Sequence, residues 1–191
     1  MNTLYGLFPP PRSRAFALWS LVWIFVASSI APIQAHGPTP KKIDKTIEIA
    51  APPAAVWALM GDFVNIPKWN PLVADSKPRL DETGSQLRVL TLRSGGEIID
   101  GITEYDAAKM TYSYRRADED VKAFPVSSYT ATIRLTPTAD GKTDVEWIGR
   151  FYRGDTGNEP AEGLDDESAL KAMDQFFDTG LNNLKRLAEQ K

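Results

Sequence analysis

The stretch KIDKTIEIAAPPAAVWALMGDFVNIPKWNPLV, residues 42–73, limits the fold more than any other part of the chain. Ile43, Lys45, Ile47 and Ile49 alternate with Lys42, Asp44, Thr46 and Glu48, the period of two that a strand with one buried face needs. Pro52 and Pro53 then stop the strand and favour a first helical turn. Val56, Trp57 and Met60 follow at helical spacing, and a second short helical turn closes on Trp69-Asn70-Pro71. One strand followed at once by two short helical pieces is an entry that the rest of the chain must cover.

From Ala74 onward the pattern is β-rich. Leu87 to Leu92 alternates and ends at Ser94-Gly95-Gly96, a hairpin signal, and Glu97 to Tyr105 returns. Met110, Tyr112 and Tyr114 share one face of the next strand. Tyr129, Ala131, Ile133 and Leu135 share one face of another. After the Asp140-Gly141 turn, Val145, Trp147, Gly149 and Phe151 do the same. Such alternation describes an antiparallel meander buried on one side. Beyond a polar loop, Gly154 to Gly163, the period changes. Leu170, Met173, Phe176, Phe177, Leu181, Leu184 and Leu187 recur every three or four residues, an amphipathic helix with an apolar stripe. Asp165, Asp166 and Glu167 suit its start and Lys185 and Arg186 its end. The expected class is α+β, in the order β-α-α-β6-α. An open sheet cannot leave its apolar face in water, so it should curl around the C-terminal helix.

Residues 1–35 differ in kind. Arg12 and Arg14 precede an apolar run from Ala15 to Ile30, and Ile33-Gln34-Ala35 offers a small residue for cleavage. That is the layout of a secretory signal peptide. The run is 16 residues, short of the roughly 20 that span a bilayer. The expected organisation is a signal peptide over 1–35, an extended arm over 36–42 and a domain over 43–191, placed in the periplasm and not held in a membrane. Loss of Arg12 and Arg14 with the leader moves the formal charge from −3 to −5, which argues against nucleic acid as a partner. The chain has no Cys, which removes disulfides and thiolate chemistry, and only one His, His36. A Ser-His-Asp arrangement or a zinc site built within the chain is therefore not expected. There is no glycine-rich phosphate loop, and the residues give no reason to expect a cofactor.

With these residues in view, the chain resembles the START-like superfamily, which has the helix-grip fold and includes Bet v 1-type and polyketide cyclase/dehydrase-like proteins. Within it, the chain looks most like the MxaD-like periplasmic proteins of methanol-oxidising bacteria. The resemblance rests on Ala35-His36-Gly37-Pro38, the helix start at Pro53–Trp57, Trp69-Asn70-Pro71 and Asp100 to Asp106 (DGITEYD). It rests further on Tyr112-Ser113-Tyr114, Tyr129-Thr130-Ala131 and Val145-Glu146-Trp147. It implies a non-enzymatic accessory protein that assists electron flow between methanol dehydrogenase and its c-type cytochrome. Asn70 stands where many relatives carry His.

The residues themselves offer four candidate sites. Trp69, Tyr112, Tyr114, Tyr129, Trp147, Phe151 and Phe177 could line a pocket for a small hydrophobic ligand, or fill the core in its place. Arg88 and Asp100, on the arms of one hairpin, could meet as a diagonal pair at its wall, or as a structural ion pair. Asp100 and Glu104 should share a face and could act as an acid/base pair in a cyclase or dehydrase. Asp155, Glu159, Glu162, Asp165 and Asp166 could dock a basic partner, or be a solvated loop.

Overall fold

The computed structural model describes residues 38–118 and 120–190, all within the unit Ala35–Lys191. The leader, its cleavage site and His36 lie outside the described residues. β1 (Lys41–Ile49) leads into α1 (Pro53–Met60). Six strands follow: β2 (Val73–Leu80), β3 (Gln86–Leu92), β4 (Glu97–Asp106), β5 (Thr111–Arg116), β6 (Val126–Pro137) and β7 (Thr143–Arg153). α2 (Asp166–Glu189) ends the chain. β1 starts inside the segment expected to be an arm, since Lys41 and Lys42 already pair with Phe151 and Arg150.

The second α-helix of the expected order does not form. Phe63–Lys68 is a 3-10 turn, because Asn65 leaves helical geometry (φ −86, ψ 19) and Pro67 has no N–H to donate. Asp62 opens this turn by accepting from Val64 N at 3.0 Å. Before it, α1 starts with Pro53 at its first positions, where a missing N–H costs nothing.

The seven strands form one antiparallel sheet in the order β1-β7-β6-β5-β4-β3-β2. α2 lies across β1 and β7. Phe177 stacks on Trp147, with centroids 4.0 Å apart and planes 11° from parallel. Two glycines permit this approach. A Cβ at Gly149 would stand 3.0 Å from Ile43, Met173 and Phe177, and one at Gly180 would stand 3.1 Å from both Trp147 and Trp69. The space beside both is taken by packing.

Asn70, fully buried, ties the Trp69-Asn70-Pro71 corner to the helix by donating to the Phe176 carbonyl at 3.1 Å. Its Oδ1 accepts from Leu72 N, so both ends of this amide are employed as structure. α2 buries Ala169, Met173, Phe176, Phe177, Gly180, Leu181, Leu184 and Ala188. Leu170, expected on that stripe, is 39% exposed. Ala169, one position earlier, is buried in its place. Met110 is likewise not a strand residue. It turns the chain at φ 49 before β5 begins and packs half-buried against the core.

Candidate functional site

β3 and β4 place Arg88 directly opposite Asp100, not diagonally, because the connecting turn runs longer than Ser94-Gly95-Gly96 and shifts the register. Both side chains are 1% exposed, so this is no surface pair. Arg88 Nε and Nη2 donate to Asp100 Oδ2 at 3.0 and 2.8 Å, and Nη1 donates to the Phe63 carbonyl at 2.6 Å. Tyr129 donates its phenolic proton to the other oxygen, Oδ1. The guanidinium carbon lies 4.1 Å from the centre of the Phe63 ring and 4.7 Å from that of Tyr114. Trp147 Nε1 donates to Tyr114 Oη at 3.1 Å.

Burial pushes the Asp100 carboxyl above its ordinary 3.8, against the opposing pull of Arg88 and Tyr129. Burial also disfavours the Arg88 charge, but the facing carboxylate outweighs it and holds the guanidinium above its ordinary value. Burial raises the phenols too: Tyr112 is pushed up to about 12, with Tyr114 and Tyr129 raised as well. The cluster is thus a closed knot whose acceptors are committed within the protein. The buried Tyr112 hydroxyl has no partner among the described residues.

Glu104 does not join Asp100. A bulge between Ile102 and Glu104 interrupts the alternation of β4. Ile102 pairs with Tyr114, but Glu104 pairs with Ser113 and Tyr105 with Tyr112. The bulge therefore turns Glu104 to the outer face and sets Tyr105 on the inner one, so the expected acid/base pair is not assembled. The same change of phase builds a groove of about 430 Å³ between α1, the 3-10 turn and the β3–β4 edge. Trp57, Phe63, Ile102 and Tyr105 supply its apolar wall, with Asp62 and Gln86 as its polar groups. A Cβ at Gly61 would come within 2.5 Å of the Trp57 indole, so glycine there lets the ring fold back over the end of α1.

The aromatic set, which the sequence leaves open as pocket lining or as core, packs as core. Trp69, Tyr112, Tyr114, Tyr129, Trp147, Phe151 and Phe177 are all buried, and all but Phe151 meet another ring in tilted, edge-on or stacked contacts. None of them, nor Arg88 or Asp100, lines the groove. They are likewise absent from a smaller hollow of about 220 Å³ at the other end of the ring core, between α2 and the Phe124 loop. Leu72, Leu92, Phe124 and Phe176 line that hollow. Of the groove residues, sequence reasoning singled out only Trp57. The available signal was apolar Ile102 and Tyr105 three apart within a strand, an odd spacing that betrays a bulge.

The acidic loop is largely occupied with its own architecture. Asp155 accepts from Gly157 N and Ala161 N, and Asp165 accepts from Ser168 N to cap α2. Asp166 pairs with Lys41 at 3.0 Å. Glu159 and Glu162 are exposed. No described helix is long and apolar enough to cross a membrane.

Residues 40–189 match the family described as polyketide cyclase / dehydrase and lipid transport, and the chain belongs to it. The chain is 26% identical over 166 residues to the granaticin polyketide synthase bifunctional cyclase/dehydratase of Streptomyces violaceoruber. That alignment takes in 81% of this chain and 49% of the relative, so the chain spans about half the length of the curated relative it matches. Among solved structures, the protein XoxI of Bacillus cereus superposes with a TM-score of 0.64 at 29% identity, over 78% of this chain and 96% of that one. The ZhuI aromatase/cyclase of Streptomyces sp. R1128 superposes with a TM-score of 0.61 at 18% identity, over 80% and 95%, a likeness of fold alone. The seven-stranded antiparallel sheet and C-terminal helix are consistent with the helix-grip fold.

Proposed function

We propose that this protein is a periplasmic binding protein for a small hydrophobic ligand, and that the groove behind the β4 bulge is where the ligand sits. The observation that carries the reading is the bulge itself. It separates Glu104 from Asp100 and gives Tyr105 to a groove of ligand size, lined by rings with a few polar groups. The periplasmic location rests on the leader pattern of residues 1–35. Native mass spectrometry of protein purified from its own host tests the reading. A retained mass that leaves on gentle activation supports it, and a bare chain that also takes up no apolar probe contradicts it.

Two other readings have their own tests. The granaticin relative is a cyclase/dehydratase, which motivates a catalytic role for Asp100, Glu104 or a tyrosine; unchanged ring closure in Asp100→Asn and Glu104→Gln proteins would dispose of it. An accessory role toward methanol dehydrogenase and its c-type cytochrome rests on the MxaD-like sequence features. Such a role would present Glu159 and Glu162, since Asp155, Asp165 and Asp166 are engaged within the chain. It requires stimulation of methanol-dependent cytochrome reduction that fades with salt.

A further inference from the structure

The lining of the groove has a sign. Of its eight residues only Asp62 carries a formal charge, and none is Lys or Arg. Asp62 Oδ1 is taken by Val64 N, while Oδ2 has no hydrogen-bond or ion-pair partner among the described residues. Around it stand the rings of Trp57, Phe63 and Tyr105; the Trp57 and Tyr105 centroids are 5.9 Å apart and their planes 40° from parallel. Tyr105 is half exposed; one side of its ring stacks on Tyr112, with centroids 6.5 Å apart and planes 20° from parallel, and the exposed part is open to a ligand.

Ring faces are negative and ring edges positive, so an aromatic wall attracts a cation presented to its faces. A carboxylate or phosphate would face Asp62 with no lining cation to offset its lost water. The buried side of the same ring array already holds one cation, Arg88, against Phe63 and Tyr114. Asp100 neutralises Arg88, so a second positive charge on the open side meets no net repulsion from it.

We propose that the groove takes an organic cation, an amine or quaternary ammonium on a small apolar body, with its charge against Trp57 and Tyr105 and beside Asp62. This rests on the reading that the groove is the ligand site, and it names the ligand's chemical class.

The test uses two probes of the same shape that differ in charge, choline and 3,3-dimethyl-1-butanol, titrated against the Trp57 indole N–H signal by NMR. A third, neutral aromatic probe, 1-naphthol, reports whether the groove binds anything. Choline should bind more tightly than its neutral isostere. Asp62→Asn, which keeps a residue able to cap the 3-10 turn, should weaken choline by roughly threefold and leave the isostere unchanged. Trp57→Leu, followed at the Gly61 amide because the indole reporter is gone, should remove a roughly two- to fivefold preference for the cation. Equal binding of both probes, indifferent to Asp62→Asn, overturns the cation assignment and leaves the ligand site standing. Shifts with 1-naphthol alone have the same meaning. Silence with all three overturns both.

Discussion

Arg88 and Asp100 face each other across the β3–β4 ladder, joined at 2.8 Å, with 1% of either side chain exposed. Asp100→Asn keeps the shape but leaves a guanidinium buried without its counter-charge. It should lower stability by about 3–5 kcal/mol in urea unfolding. An Arg88→Met/Asp100→Leu double variant removes both charges and should recover most of that loss. If the double variant is as unstable as the single one, the pair matters for more than charge balance.

Gly180 separates α2 from the Trp69–Trp147 contact. An added methyl would lie 2.9 Å from Asn70 Nδ2, which is held by its bond to the Phe176 carbonyl and cannot yield. Elsewhere in a helix, glycine to alanine gains about 1 kcal/mol. Here overpacking costs about 1–3 kcal/mol, so Gly180→Ala should be net destabilising in thermal melts.

Tyr112, Tyr114 and Tyr129 titrate above the ordinary phenol value of 10.0, with burial as the leading cause. A folded state that keeps these protons longer than the unfolded chain has its full stability below pH 10 and loses it as pH rises toward about 12 and beyond. Stability measured from pH 9 to 12 should therefore fall. Absorbance near the phenolate band should show these three phenols ionising only together with unfolding.

Arg116 is buried where β5 leaves the sheet and holds the next loop by donating to the Phe124 carbonyl, the Asp120 carbonyl and Asp118. Arg116→Met leaves those acceptors without their donor and should cost about 2–3 kcal/mol. Hydrogen exchange at Ala123, Phe124 and Val126 should speed up before the rest of β6 is affected.

How much of this was legible depends on whether a feature is periodic. The inner faces of β6 and β7 followed from alternation alone, because Tyr129 to Leu135 and Val145 to Phe151 keep one phase throughout. β4 does not keep one phase. A single extra residue exchanges Glu104 for Tyr105 on the inner face, and no count of alternate positions can see that. Large residues mark the helix stripe in the sequence, which draws in Leu170 and hides the small Ala169 and Ala188. Spacing alone does not tell whether Gly149 and Gly180 make room for a ligand or for packing. That answer depends on distances between side chains far apart in sequence. The groove itself is assembled from α1, the 3-10 turn, β3 and β4, and Asp62 and Gln86 carry no motif that would announce it.

The most direct test of the central claim is an NMR map of where a neutral apolar probe, 1-naphthol, binds. The account predicts saturable shifts at Trp57, Gly61, Phe63, Ile102 and Tyr105, lost in Tyr105→Ala with the melting temperature retained. Saturable shifts confined to Phe124, Ala172 and Phe176, or none at any concentration that keeps the protein folded, would contradict it.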